Sequence, residues 1–189
     1  MAVHYISDSK QGTKEWLSLR GKYITGTDAY TLLKGKTKEE ILKAKNGPIT
    51  FHGNYWTKRG HVLENEGISL YERLRGVKVD HCEIMLNDDY PDIAGSPDGL
   101  IGKNGILEHK AFKEENHLKS YKDLPPQIYC QINWYMWVSN RKWTDMVFYN
   151  PDMKDLSKSL LIKRYPRDDK LIDRFKEILG YETCKQKKV

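Results

Sequence analysis

The segment from Ile93 to Lys113 constrains this chain most, because it reads as a buried hairpin that carries charge. Leu100-Ile101 and Ile106-Leu107 flank Gly102-Lys103-Asn104-Gly105. Asn-Gly between apolar runs is a strong hairpin signal, since both central turn positions tolerate positive φ. The whole segment is therefore expected to form two antiparallel strands. Side chains alternate along a strand, so Glu108 and Lys110 share one face while His109 points to the other. Asp98, just after Ser96-Pro97, is expected at the start of the partner strand, and a tight hairpin returns it to the neighbourhood of Glu108.

Two carboxylates beside one ammonium have a definite chemistry. Acid oxygens suit a hard divalent cation such as Mg²⁺, and a lysine steadies an attacking water or a growing negative charge. Such a set hydrolyses phosphodiesters. An acid followed two positions later by lysine also occurs on many exposed strands, where it is only a solvated edge. The neighbours weigh against that alternative: Ile93, Ala94, Leu100, Ile101, Ile106, Leu107 and Phe112 describe a mostly buried sheet. Charge placed there is costly unless paired or metal-bound.

With 189 residues, 39% hydrophobic and 31% charged, the chain suits one ordered domain over residues 1–189. The net charge of +6 favours a polyanionic partner, although basic tails such as Lys185 to Lys188 are often merely solvated. Cys82, Cys130 and Cys184 are odd in number and lack CxxC spacing. They imply free thiols in a reducing compartment, not a disulfide framework or a zinc site. There is no apolar run of about 18 residues and no apolar N-terminal signal region, so no membrane partner and a cytoplasmic location are expected.

Along the chain, Thr13 to Arg20 predicts a short helix broken by Gly21. Thr25 or Thr27 then caps a helix running into Leu32-Leu33. A helix start presents unpaired amides, and with Arg20 beside Thr27 it is a candidate phosphate clamp; an ordinary cap with a surface arginine is the alternative. Thr37 and Glu40 have capping-box spacing and open a helix through Lys45. Ile49 to Thr57 reads as an aromatic loop, Lys58 to Arg75 as a helix carrying Glu64 and Glu66, and Val77 to Leu86 as a strand. Lys113 to Lys122 reads as an exposed polar run. Pro125-Pro126 starts a largely buried helix through Ser139, in which Gln131 is a candidate to orient a water once aimed at the hairpin. Thr144–Tyr149 and Ser159–Arg164 read as a strand pair, and 168–179 as an amphipathic helix closed by Gly180. This order predicts an α/β fold with helices flanking a central mixed β-sheet.

Taken together, these residues resemble a known family. Asp98 followed by Glu108-His109-Lys110 is the signature of the PD-(D/E)XK nuclease superfamily. Glu15-Trp16 with Arg20, Ile24-Thr25-Gly26-Thr27, Arg59-Gly60 with Glu64, Gly95-Ser96-Pro97-Asp98-Gly99-Leu100 and the Gln131 helix resemble its lambda exonuclease or YqaJ-like viral recombinase branch. The resemblance implies a restriction-endonuclease-like core. It implies Mg²⁺, with Mn²⁺ able to substitute, held by Asp98, Glu108, Glu64 and the His109 backbone carbonyl. Lys110 would position the nucleophilic water, Gln131 would line the site, and Arg20, Thr27 and Ser96 would bind a DNA 5′-phosphate. Thr27 stands where serine is frequent, and His109 where an apolar residue is usual.

The activity so implied is 5′-to-3′ exonuclease action on linear double-stranded DNA ends, as in phage-type recombination. It would release 5′-mononucleotides and leave 3′ overhangs for a single-strand annealing protein. A ring-shaped homotrimer, and the host-cell cytoplasm if phage-encoded, belong to the same implication. A structure-specific or site-specific endonuclease and a catalytically silent DNA-end-binding module are the alternatives.

Overall fold

The computed structural model of the protein describes residues 3–6, 12–47 and 55–183. Strand β1 (Val3–Ile6) precedes α1 (Lys14–Arg20), a 3₁₀ turn (Gly26–Asp28), α2 (Ala29–Leu33), α3 (Lys38–Lys45) and the long α4 (Tyr55–Arg75). Next come β2 (Val79–Asp80), β3 (Ile84–Asn87), β4 (Ala94–Gly95), β5 (Gly99–Ile101) and β6 (Gly105–Lys110). They are followed by α5 (Glu114–Lys122), α6 (Pro126–Ser139), β7 (Trp143–Tyr149), β8 (Leu160–Pro166) and α7 (Asp169–Leu179).

Five strands form a mixed sheet in the order β2-β5-β6-β7-β8. The β6–β7 pair is parallel and the other neighbours are antiparallel. A parallel pair needs a long crossover, and α5 and α6 supply it. Alternation along β6 divides the core. Leu107 joins Tyr71 of α4, Ile101 and Val147 on one face. Ile106 joins Trp134, Met146, Phe148 and Phe175 on the other, beneath α6 and α7. The central mixed sheet flanked by helices is therefore as expected. No described helix is long and apolar enough to cross a membrane.

The helix signals carried by short-range chemistry hold. Thr13 caps α1 by accepting the Trp16 amide at 3.3 Å, and Thr37 and Glu40 form the reciprocal box at 3.2 and 2.8 Å. Gly180 ends α7 with φ 75°. Other expectations need correction where long-range packing decides. Val77 to Leu86 is not one strand: Val79–Asp80 pairs with β5, whereas Ile84–Asn87 lies between β1 and β4 in a separate three-stranded sheet. The predicted hairpin is likewise shorter than its segment, because Ala94–Gly95 belongs to that second sheet and Asp98 lies at the crossing. Lys113 to Lys122 is helix α5, with His117 and Ser120 buried. The aromatic loop ends earlier than read, since α4 begins at Tyr55; its residues 49–54 and the tail Lys185–Lys188 lie outside the described residues.

The hairpin turn also uses its glycines differently. Gly102 takes the positive φ, 50°, while Gly105 is the first residue of β6. A β-carbon on Gly105 would stand 2.2 Å from the Trp143 ring. That ring is clamped from above by the Arg164 guanidinium, 3.5 Å from its centroid. Gly105→Ala is therefore expected to destabilise the fold by about 1–3 kcal/mol through overpacking. Adding Trp143→Leu should recover part of that loss in urea melts, and an unaltered midpoint for Gly105→Ala alone would show that the ring yields.

Candidate active site

Glu108 sits in β6, the middle strand of the five, and is only 1% exposed. A buried carboxylate must be matched by donors or cations. One oxygen is matched: Oε1 accepts from Lys110 Nζ at 2.6 Å and from Gln131 Nε2 at 3.0 Å. The other, Oε2, is buried with no hydrogen-bond partner among the described residues. Asp98 arrives from the crossing between the sheets, and its Oδ2 accepts the His109 amide at 2.7 Å. The acid is thereby tethered one residue from Glu108.

Electrostatics show how tightly these groups are drawn together. Burial, then the charge of Asp98, pushes the Glu108 carboxyl up to about 8 against the pull of Lys110. Burial and Asp98 likewise hold Glu64, on α4, up at about 7. For Lys110 burial acts downward, but the charges of Glu108 and Asp98 outweigh it and leave the ammonium above its ordinary pKa. The site is thus richer in acid than its one lysine can neutralise. A divalent cation could answer that excess, and Glu108 Oε2 is among the oxygens able to hold one. The acids are neighbours and not a finished cage: among the described residues no three His, Cys, Asp or Glu side chains form a ready metal cluster. The His109 imidazole takes no part. It is buried against Gly67 of α4, on the far side of the sheet, and burial pushes it down to about 3, so it is neutral.

Arg20 forms a second cluster. Its guanidinium lies over the Trp16 ring, 4.4 Å from the centroid, and donates to Thr25 Oγ1 and Thr27 Oγ1 at 3.1 Å each. Its Nε is buried without a hydrogen-bond partner among the described residues. Thr25, not Thr27, is the cap, and it caps the 3₁₀ turn reciprocally with Asp28. Beside Arg20 and Thr27 opens a cavity of about 560 Å³, also lined by Lys14, Asp28 and Lys45.

Tyr135 joins the two clusters. Its hydroxyl accepts from Gln131 Nε2 at 2.8 Å, the same nitrogen that serves Glu108. On its other side the turn approaches so closely that a β-carbon on Gly26 would lie 2.6 Å from the Tyr135 ring. Arginine turn and acid centre are therefore spaced by one buried tyrosine.

The structure thus gathers Asp98, Glu108, Lys110, Gln131 and Glu64 into one electrostatic unit, with Arg20 and Thr27 one side chain away. Ser96 is engaged within the fold. Its hydroxyl is buried and donates to the Glu83 carbonyl at 2.6 Å, so it has no proton left for a phosphate. It acts one step back, because Trp16 Nε1 donates to the same carbonyl at 3.4 Å and the Trp16 ring carries Arg20. Three neighbours carry no sequence signal as site residues: Tyr135, one of the buried aromatics of α6; Asp28, the reciprocal partner of the Thr25 cap; and Lys45, a last-turn lysine of α3.

A mixed sheet flanked by helices, with Asp, Glu and Lys brought together across its central hairpin, defines the PD-(D/E)XK class of fold. Solved structures agree. The alkaline exonuclease LHK-Exo from Laribacter hongkongensis superimposes with a TM-score of 0.77 at 23% identity over 89% of each chain. The same exonuclease in complex with dAMP gives 0.78 at 22%, also over 89% of each chain. A phage-related exonuclease from Haemophilus somnus 129PT gives 0.63 at 17% over 87% of this chain and 93% of its own. No curated protein matches. Residues 15–142 match the YqaJ-like viral recombinase domain, and the chain belongs to that family.

The raised acids make a signed prediction. Between pH 4.5 and about 7 for Glu64, or about 8 for Glu108, the folded protein holds protons that the unfolded chain has released. Stability in chelator should therefore fall as pH rises through that window. A cation competes with those protons, so the rise in melting temperature on adding Mg²⁺ or Mn²⁺ should grow over the same interval. Glu108→Gln should flatten both trends in a fluorescence melt. A metal increment independent of pH would show that these carboxylates are not the binding groups.

Proposed function

We propose that this protein is a metal-dependent exonuclease that degrades one strand of linear double-stranded DNA from its 5′ end. It releases 5′-mononucleotides and leaves a 3′ overhang suited to an annealing protein. The observation that carries this reading is a complementary pair of unmet needs one tyrosine apart. Among the described residues, Glu108 Oε2 is a buried acceptor without a donor, and Arg20 Nε is a buried donor without an acceptor. A cation at the first and a terminal phosphate at the second satisfy both. The spacing between them makes the scissile bond one that lies close to an end. Family membership and the folds of the two exonucleases support the same assignment.

Asp98, Glu108, Glu64 and the His109 backbone carbonyl would hold the cation, Mg²⁺ or in its place Mn²⁺. When bound, such an ion supplies Lewis-acid stabilisation to the phosphoryl oxygens. The chain's own groups do the rest. Lys110, held by Glu108, presents a fixed positive charge where the phosphorane becomes more negative and where water approaches. Gln131, anchored between Glu108 and Tyr135, limits the orientations open to that water. Arg20 and Thr27 receive the terminal phosphate and set which bond lies over the acids, a positioning effect. In-line attack by water on the phosphorus that joins the first two nucleotides then expels the 3′ oxygen of the terminal nucleotide, which leaves as a 5′-mononucleotide while the shortened strand keeps a new 5′-phosphate.

An endonuclease of the same fold is separated from this reading by topology, because an exonuclease requires an end. Linear duplex should be degraded in Mg²⁺ and spared in chelator, while covalently closed circles survive both; cleavage of circles overturns the exonuclease reading. Asp98→Ala and Lys110→Ala should each lower the rate by roughly 10²–10³-fold or more with the melting transition retained. Near-parental turnover by either variant removes the mechanism. Arg20→Ala should lose preference for 5′-phosphorylated over 5′-hydroxyl ends, and an equal loss on both kinds of end counts against the phosphate pocket.

A further inference from the structure

The cavity beside Arg20 holds a contradiction for an anion site, because Asp28 stands in its wall. The turn needs an acceptor there. Asp28 Oδ2 accepts both the Thr25 amide and the Thr25 hydroxyl at 2.8 Å, which fixes Thr25 and turns its oxygen lone pairs toward Arg20. Left uncompensated, the same charge would repel a phosphate and compete with it for the Arg20 guanidinium.

Lys45, from the last turn of α3, answers both problems. Its ammonium has three hydrogens, and three acceptors surround it: Asp28 Oδ2 at 2.7 Å, Thr25 Oγ1 at 3.0 Å and the Tyr23 carbonyl at 2.8 Å. With every donor engaged by protein, Lys45 is a support and not a ligand. The pair is well shielded, the two side chains being 17% and 16% exposed. The helix that carries it is pinned in place, because Asn46 Nδ2 donates to the Gly21 carbonyl at 3.0 Å, at the end of the helix that carries Arg20.

We propose that Lys45 is a positioning residue for recognition of the 5′-terminal phosphate: paired with Asp28 in the pocket wall, it cancels the acid's charge and leaves Arg20 free for the DNA end. This inference rests on the reading of the Arg20–Thr27 cluster as the terminal-phosphate pocket. It adds that the pocket's selectivity depends on a neutral ion pair which never touches the phosphate.

The test is a charge cycle read as selectivity. Binding of 5′-phosphorylated and 5′-hydroxyl linear duplex is measured by fluorescence anisotropy in chelator, and the ratio of the two dissociation constants is compared among variants. Lys45→Met should reduce the preference for phosphorylated ends by roughly tenfold, as one uncompensated charge beside the ligand demands. Adding Asp28→Asn, which keeps an oxygen for the Thr25 amide but removes the charge, should restore the preference. Lys45→Arg should retain most of it. General damage to the fold by Lys45→Met would not be repaired by Asp28→Asn, so restoration in the double variant supports the inference and persistent loss overturns it. A full preference in Lys45→Met alongside its loss in Arg20→Ala overturns the role of Lys45 but leaves the pocket standing. An unchanged preference in Arg20→Ala overturns both.

Discussion

The structure is organised around the burial of one carboxylate. Glu108 lies in the middle strand of the five-stranded sheet with helices over both faces, and withdrawing an ion from water costs on the order of several kcal/mol. Its surroundings reduce that cost only in part. Lys110, two positions along the same strand, and Gln131, from the crossover helix, satisfy Oε1. Oε2 is left over, and the charge of Asp98 across the hairpin raises the cost again. A fold that served stability alone would place an apolar residue there. On the proposed reading, a bound cation relieves that strain of the acid cluster.

The same economy governs the arginine turn. Close packing of Gly26 on Tyr135 and the paired backbone bonds of Ile24 to Asp92 and Ala94 bring the turn up to the acid loop. Trp16 beneath Arg20 shares the Glu83 carbonyl with Ser96, two residues before Asp98. Each cluster is therefore supported by elements that also hold the other. A change in Tyr135 or Glu83 would move the spacing between them, the dimension that on the proposed reading sets where the strand is cut.

Much of the chemistry was legible before folding, and the reason differs residue by residue. Glu108 and Lys110 were placed on one face by strand periodicity alone. Thr37 and Gly180 were legible because caps act within one helical turn. Arg20 and Thr27 are legible as neighbours at a helix start, and they are hydrogen-bonded, although the turn is 3₁₀ and Thr25 the cap. The bond from the Ser96 hydroxyl to the Glu83 carbonyl was not legible, because nothing local says which way a hydroxyl turns and that carbonyl lies elsewhere along the chain. Val77 to Leu86 was read as one strand because a change of sheet leaves no mark on a short β-like run.

Sequence by itself settled the kinds of groups present, their alternation along β6 and the tight reversal that returns Asp98 toward Glu108, because these follow from local backbone geometry. Packing alone settled which donors reach which acceptors. Lys45 meets Asp28, Gln131 bridges Glu108 to Tyr135, and Glu64 feels Asp98 from a separate helix. Such contacts join residues distant along the chain, and no one-dimensional pattern encodes the distance between surfaces that meet only when the core closes.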